Sequence, residues 1–365
     1  MNTQSLLDFL QSAAAVVVTF GLVIFLHELG HFLMCLRLGV RVEKFAFGMG
    51  PELFGVTRGQ TRYSFCLLPL GGFVKPAGED IEACTGKPDE YFGQVWYRRL
   101  AIVFAGPAMN YCLAFCLFTG VVYVKGMPEY GSEPVIGNMM NGFPADRAGI
   151  RIGDRVLAVN GAEITEWKQL SDAIHALPKR QLTLRCRRDG KDFVAQVTTK
   201  ADDATGFGVI GIMPQSLFKP VGSLTAAWEG AAQCYNLTAF TIKTILSKIY
   251  HRQRPDLAGP VGIVQMVSRA AHSGLEDLIF LIGLISVAIG FFNLLPVPLL
   301  DGGHAVMYLW EGLSKRRLTT ELMGRANGVG IVLLVLLLLF ATYSDVLRLR
   351  DDRAARKAPA VEASP

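Results

Sequence analysis

The chain has 365 residues, of which 51% are hydrophobic and only 18% are charged. Soluble globular domains carry about 25% charged residues, so this composition excludes an ordinary soluble protein and indicates several membrane spans. The net charge of +5 is small, and the basic residues lie beside apolar runs. This distribution favours a membrane surface rather than a nucleic acid as the partner.

The first apolar run, residues 10–36, is long enough for the ~20 residues that cross a bilayer, yet it contains His27, Glu28 and His31. Two histidines four residues apart share one face of a helix, which is the spacing of a zinc site with the glutamate as general base. An ionisable group inside a span costs about 2.5–3.5 kcal/mol and is usually functional. A shared Zn²⁺ ion explains all three residues at once.

The loop after this span contains TRYSFCLLPLGGFVKP, residues 61–76, in which apolar side chains alternate along the chain. Tyr63, Phe65 and Leu67 fall on one side of the predicted strand. Pro69 and the glycines after it are typical of a turn, so the stretch predicts an apolar β-hairpin.

A second span covers residues 100–124, and an independent soluble domain follows it. Within that domain RVLAVN, LTLRCRR and FVAQVTT are strand patterns, WKQLSDAIHAL is helical, and Asn-Gly and Asp-Gly pairs mark hairpin turns. The next stretch, up to residue 274, has apolar residues at helical spacing interrupted by polar ones. It predicts an amphipathic helix at the membrane interface.

The third span, residues 275–295, ends in FFNLLPVPLLDGGH, and the fourth covers residues 328–343. Proline, glycine and asparagine cannot continue an ordinary apolar helix, and broken backbone at membrane depth is found where it lines a cavity. A catalytic zinc needs a third protein ligand. Asp301 is the favoured candidate, and His304 is the alternative.

Basic residues in the first and third loops predict that both loops are cytoplasmic. The soluble domain and both termini then lie outside, although the C-terminal tail is itself basic. In this topology the two histidines and Asp301 lie near the cytoplasmic ends of the first and third spans, at matching depth.

Four separated motifs resemble the site-2 protease family of intramembrane zinc metalloproteases, in particular the bacterial regulator of sigma-E protease branch. They are HELGH at 27–31, FAGPAMN at 104–110, GPVGI at 259–263 and NLLPVPLLDGG at 293–303. The resemblance implies a membrane-reentrant β-hairpin and the following residue roles: His27, His31 and Asp301 as zinc ligands, Glu28 as the catalytic carboxylate, and Asn293 as a contact to the substrate backbone.

The soluble domain contains FPADRAGIRIGDRVLAVNG, residues 143–161, which resembles a bacterial PDZ domain. The enterobacterial members of this branch carry two tandem PDZ modules, whereas this stretch has room for one. A PDZ groove can bind a peptide as an added strand, and a module without that activity can act as a steric gate. Both alternatives stay open at this point.

The sequence therefore predicts a polytopic α-helical membrane protein of about four transmembrane helices, with one inserted extracytoplasmic PDZ domain and a membrane-reentrant β-hairpin. The predicted segments are a first catalytic part at 1–128, the PDZ domain at 129–216, an amphipathic interfacial segment at 217–274, a second catalytic part at 275–347 and a disordered tail at 348–365.

The expected activity is zinc-dependent cleavage within single-pass membrane proteins that have already been cut on the outer side, in a bacterial inner membrane. By the resemblance, such substrates include anti-sigma factors and remnant signal peptides. We expect the unpaired edge of the hairpin, with Tyr63, Phe65 and Leu67, to pair with the extended substrate. A membrane metal transporter and a PDZ-bearing membrane scaffold are the alternatives, and Glu28→Gln would discriminate among the three.

Overall fold

A computed structural model of the protein describes residues 3–140, 142–202, 206–251 and 259–357. The chain forms two compact units. The first combines Met1–Val121 with Ser223–Pro365, and the second is the inserted segment Val122–Gly222. The membrane helices belong to the first unit, so each unit is described separately below.

The elements, in chain order, are α1 (Thr3–Arg37), β1 (Val42–Arg58), β2 (Thr61–Pro76), α2 (Trp96–Lys125), β3 (Met127–Tyr130), β4 (Ile136–Met139), α3 (Pro144–Arg147), β5 (Arg155–Val159), β6 (Ala162–Glu163), α4 (Trp167–His175), β7 (Gln181–Arg188), β8 (Lys191–Thr198), β9 (Lys200–Ala201), β10 (Gly208–Val209), β11 (Ile212–Pro214), β12 (Ser216–Lys219), α5 (Ser223–Tyr250), α6 (Pro260–Ser273), α7 (Leu275–Asn293), α8 (Asp301–Ser314) and α9 (Thr320–Lys357).

Within the described ranges, four helices are long and apolar enough to cross a bilayer, and they coincide with the four predicted spans. They are Gln4–Arg37, Trp96–Lys125, Leu275–Asn293 and Thr320–Leu347. Many of their large apolar side chains are exposed on the protein surface. Exposed apolar side chains are expected where a helix faces lipid rather than water, so the chain is a membrane protein.

The first unit brings α1, α2 and α8 together around one apolar cluster. A Cβ atom at Gly30 of α1 would overlap the backbone carbonyl of Ala105 in α2, so glycine lets these two helices pack closely. The cluster contains Phe32, Cys35, Ile102, Val103, Ala305 and Tyr308. The cluster packs the end of α1 that carries the histidines against α2 and α8.

Two further helices pack against these spans. The hydroxyl of Tyr111 in α2 lies 2.9 Å from that of Thr238 in α5, and the hydroxyls of Ser12 in α1 and Ser268 in α6 lie 2.8 Å apart. The segment between α5 and α6 lies outside the described residues. That 217–274 lies at the membrane interface stays a prediction.

Strands β1 and β2 form one antiparallel sheet, and each strand contributes two segments to it. Phe45 pairs with Val74 on one side and with Tyr63 on the other, and Tyr63 pairs in turn with Val56. The order across the sheet is therefore 72–76, 42–49, 61–68 and 52–58.

The sequence-based prediction that 61–76 folds back on itself was wrong. Its two halves lie on opposite sides of β1 instead of pairing with each other. The sequence pattern did not reveal β1, because the FGMGPE stretch within this strand is typical of a turn. Gly48 and Gly50 take left-handed φ angles of 87° and 88° there, and the strand bends at these positions instead of ending.

The second unit is built on a sheet of order β6-β5-β7-β8 with α4 packed on it. The three predicted strands and the predicted helix are confirmed. The pairs Asn160–Gly161 and Asp189–Gly190 take left-handed φ angles, as the two-residue turns of hairpins require. Alternate residues of the strands fill one apolar core, with Val156, Leu170, Leu182, Leu184 and Val197 almost fully buried.

Short strands close the ends of the second unit. Strand β3 pairs with β12, and β4 pairs with β11, so pairing begins at Met127 and ends at Lys219. The unit is thus slightly longer at both ends than the predicted 129–216.

The C-terminal tail also differs from the prediction. Helix α9 continues to Lys357, although the sequence predicted disorder from residue 348. The residues 348–357 are mostly Leu, Arg, Ala and Asp, and extending an existing helix avoids the cost of nucleation. The rest of the predicted tail, 358–365, lies outside the described residues.

Candidate metal centre

The two histidines of HELGH project from one face of α1. The helix runs through this stretch without a break, so His27 and His31 stack one turn apart. Their Nε2 atoms lie 3.2 Å apart, and His27 is 7% exposed. Two imidazole nitrogens thus converge on one point inside the protein.

A carboxylate reaches the same point from the predicted break after the third span. Helix α7 ends at Asn293 and α8 begins at Asp301, and Leu299 takes a left-handed φ of 81° between them. Cβ atoms at Gly302 and Gly303 would overlap carbonyl oxygens of the preceding turn. Only glycine at these positions lets α8 begin so close to that turn.

Asp301 Oδ2 lies 3.1 Å from His27 Nε2, and Oδ1 lies 3.6 Å from His31 Nε2. The ligand atoms of the three residues all lie within 4.8 Å of one another. Oδ2 is buried and makes no well-aligned hydrogen bond to any described residue, which is costly unless a cation is present. Two imidazoles and one carboxylate are a known ligand set of catalytic zinc, so these residues fit Zn²⁺.

Helix α2 orients His31 and covers both rings. The Nδ1 atom of His31 lies 2.8 Å from the carbonyl oxygen of Ile102. Because a carbonyl only accepts, Nδ1–H must donate, and Nε2 keeps its lone pair for a metal. A Cβ atom at Gly106 would lie 2.5 Å from Cε1 of His31 and 2.9 Å from Cε1 of His27, so α2 can approach the rings only with glycine there.

Glu28 lies beside the two histidines without joining the ligand cluster. Its Oε2 atom accepts a hydrogen bond of 3.2 Å from the backbone N–H of Val74, a residue of the strand segment 72–76. Glu28 and Val74 both line the cavity around the histidines. The sheet therefore positions the carboxylate next to the two histidines.

This cavity has a volume of about 480 Å³. Asn293, at the end of α7, is part of its wall, as is His304. His304 was the alternative third ligand, but among the described residues the group able to hold a metal is formed with Asp301 instead. The geometry therefore favours Asp301.

The three predicted substrate-binding residues of the hairpin lie elsewhere. Tyr63, Phe65 and Leu67 are absent from the cavity wall within the described part of the chain. Tyr63 and Phe65 pair with β1 on both sides, so the predicted unpaired edge at 63–68 was wrong. The sequence could not reveal this because the pairing depends on β1, which the pattern had missed.

Comparison with known proteins identifies the family. The model of Peptidase family M50 matches residues 15–337. The chain belongs to this peptidase family. A protein of Clostridium acetobutylicum named as a zinc metalloprotease is 32% identical, with 91% of this chain and 96% of that protein covered. The Regulator of sigma-W protease RasP of Bacillus subtilis is 29% identical, with 93% and 99% covered.

As a member of Peptidase family M50, the chain is a zinc metalloprotease whose cofactor is Zn²⁺. The transporter and scaffold alternatives are therefore set aside. Among solved structures, the PDZ domain of the SdrC-like protein from Listeria monocytogenes is 18% identical and covers 24% of this chain and 93% of its own, with a TM-score of 0.21.

Sequence reasoning missed several groups of this candidate site. The Ile102 carbonyl and the Val74 N–H are backbone groups, which no residue pattern identifies. Asn110 contacts His27 through its side chain. It lies in the quoted FAGPAMN motif, and an amide side chain inside an apolar span is the signal that could have identified it.

Proposed function

We propose that His27, His31 and Asp301 hold the zinc of this peptidase and that Glu28 is its general base. The observation that carries the proposal is the convergence of three ligand atoms from α1 and α8 on one buried point beside Glu28. Zinc bound there supplies a Lewis acid that polarises a carbonyl and makes water a better nucleophile.

The protein groups around that point have separate tasks. Because Val74 N–H holds Oε2 of Glu28, Oε1 is available to accept the proton of the attacking water and to pass it to the leaving amine. Asn293 carries an amide on the same cavity wall. Its side-chain N–H groups can donate to a carbonyl of the substrate backbone.

The strand edge that receives the substrate is proposed at 72–76 instead of 63–68. This segment pairs with β1 on one side, and on its other side the described residues contribute no strand. Val74, in the middle of the segment, contacts Glu28. A substrate unwound from its helix can add to this edge as a further strand, which brings its backbone to the metal site.

Photo-cross-linking tests this assignment of the edge. A photoreactive amino acid at Phe73, on the proposed edge, should cross-link to a substrate trapped on an inactive enzyme. The same amino acid at Tyr63, in the doubly paired strand, is the matched control. Stronger cross-linking from position 63 would contradict the proposal.

The residue roles are tested with the purified full-length protein and a single-span substrate. Glu28→Gln should abolish cleavage while bound zinc stays at the wild-type level, because the carboxylate is not a ligand. His27→Ala should lose both zinc and cleavage. Glu166→Gln, an exposed change in the second unit, should alter neither. Cleavage by Glu28→Gln at the wild-type rate would refute the role of Glu28.

The proposed substrates are single-pass membrane proteins such as anti-sigma factors and remnant signal peptides. The similarity to a relative named regulator of sigma-W protease supports this class. The basic loops support a bacterial inner membrane location with the active site near the cytoplasmic side. A cysteine in place of Arg316 should react with a membrane-impermeant reagent only from the cytoplasmic side, and labelling of intact cells would contradict this topology.

The inserted unit is proposed to be an extracytoplasmic PDZ domain that binds peptide. A groove of about 340 Å³ between α4 and the strands β10 and β11 supports peptide binding. PDZ domains bind peptides beside a helix and a strand edge. Met213→Glu, in the wall of this groove, should weaken cleavage of the substrate without loss of zinc. Faster cleavage of untrimmed substrates in this variant would favour a steric gate instead.

A further inference from the structure

Asn110 of α2 is a polar residue that the proposed mechanism leaves without a task. It is fully buried at 0% exposure. Its Nδ2 atom lies 3.2 Å from Nδ1 of His27, on the opposite side of the imidazole from the metal point. Its Oδ1 atom is buried and has no hydrogen-bond partner among the residues that the structure describes.

This orientation of the amide conflicts with metal binding by His27. If Nδ2 donates to Nδ1, then Nδ1 must be unprotonated, and a neutral imidazole carries its proton on Nε2. An Nε2 that holds a proton cannot ligate zinc, although Nε2 is the atom that faces Asp301 and His31.

Exchanging the two ends of the amide removes this conflict. The oxygen and nitrogen of an asparagine side chain have nearly the same shape, and they are assigned from the hydrogen bonds they make. With the oxygen towards His27, it accepts a hydrogen bond from Nδ1–H, and Nε2 keeps its lone pair.

We infer that Asn110 is a positioning residue whose side-chain carbonyl accepts the Nδ1–H of His27 and so selects Nε2 as the metal-binding nitrogen. His31 already has the equivalent arrangement, with the Ile102 carbonyl on its Nδ1. Helix α2 thus supplies one acceptor for each histidine. Such outer contacts orient metal ligands and raise their basicity.

A contact from α7 makes the position of Asn110 well defined. The Ser286 hydroxyl donates a hydrogen bond of 2.8 Å to the Asn110 backbone carbonyl, and Ser286 is also fully buried. A Cβ atom at Gly290, on the same helix, would lie 3.2 Å from the Asn110 Cβ. Three helices therefore meet at this residue, and its side chain has little space to turn away from His27.

The inference rests on the proposed ligand set, so its test measures zinc affinity and includes a ligand variant. Purified full-length protein in detergent is titrated with Zn²⁺ against a competing chelator. Asn110→Leu, which has a similar size and no acceptor, should weaken Zn²⁺ binding by about 10–100-fold. Asn110→Asp, which can only accept when ionised, should keep Zn²⁺ affinity close to wild type.

The outcomes separate the possible failures. Loss of affinity in Asn110→Asp equal to that in Asn110→Leu would overturn the inference, because a donor role or simple packing would then explain the residue. Wild-type affinity in Asn110→Leu would overturn it as well. If His27→Ala binds Zn²⁺ as tightly as wild type, the ligand set itself is wrong.

A measurement on the unaltered protein covers the case in which Asn110→Leu does not fold. In ¹⁵N-histidine NMR spectra of wild type loaded with Zn²⁺, the inference expects His27 to show a protonated Nδ1. The His27 signals are assigned by their shift in Asn110→Asp. An unprotonated Nδ1 on His27 would overturn the inference.

Discussion

Gly106→Ala should remove zinc binding while leaving the chain folded. The added Cβ atom would lie 2.5 Å from Cε1 of His31 and closer still to its Nε2, whereas ordinary contact begins at 3.4 Å, so the ring must move by at least about 0.9 Å. His27 is crowded too, at 2.9 Å. Metal sites tolerate ligand displacements of about 0.2 Å, so this movement exceeds the tolerance several-fold.

The expected loss of Zn²⁺ affinity is at least the ~10–100-fold seen when an outer contact of a ligand is removed. Chelator competition measures this loss, and thermal unfolding monitors the fold. Gly120→Ala is the matched control, because it is on the same helix and no described atom lies within 4 Å of its added Cβ. It should gain up to about 1 kcal/mol of helix propensity. Wild-type zinc affinity in Gly106→Ala would refute the close packing of α2 on both imidazoles.

Three further changes test the fold around the site and in the inserted unit. The Thr85 hydroxyl and the backbone N–H groups beside it hold the pKa of Glu90 at about 2, so Glu90 stabilises the loop above its unfolded pKa of about 4.5. The loss of Tm in Glu90→Gln should therefore be complete at neutral pH and should shrink only as the pH falls from about 4.5 towards 2; a pH-independent loss would contradict this. Asp345→Ala should destabilise the protein by about 1–2 kcal/mol in denaturant unfolding, because its carboxylate caps the N-terminus of α6; no change would contradict the cap. Asp154→Ala should destabilise the inserted unit by about 1–3 kcal/mol, because the buried Asp154 carboxylate accepts hydrogen bonds from the partly exposed Arg188 and from the Arg151 N–H; protease resistance like that of wild type would argue against it.

Local patterns predicted much of this molecule. Span length and hydropathy located all four membrane helices, because lipid imposes a length and a polarity on each helix independently of the others. The spacing of His27 and His31 predicted that both side chains lie on one face of the helix, because a helix repeats its geometry every turn. Strand alternation and the Asn160–Gly161 turn likewise predicted the sheet of the inserted unit.

The patterns were less reliable where two distant segments had to meet. The strand alternation in 61–76 was recognised correctly, but its partner was not, because β1 is interrupted by glycines and proline that usually mark a turn. As a consequence a free edge of the sheet was assigned to 63–68, whereas the outer segments are 72–76 and 52–58. Which edge is free depends on the order of strands, and strand order is a property of the whole sheet.

The sequence by itself determined four candidate spans within the described ranges, a pair of histidines with a carboxylate between them, and one inserted domain. Only the tertiary structure decided that Asp301 rather than His304 reaches the histidines, that Val74 holds Glu28, and that Asn110 lies behind His27. The physical reason is that these contacts join α1 to segments 46 to 274 residues away in the chain. Helical and strand periodicity report which face a residue occupies, whereas the packing of helices and strands determines what lies against that face.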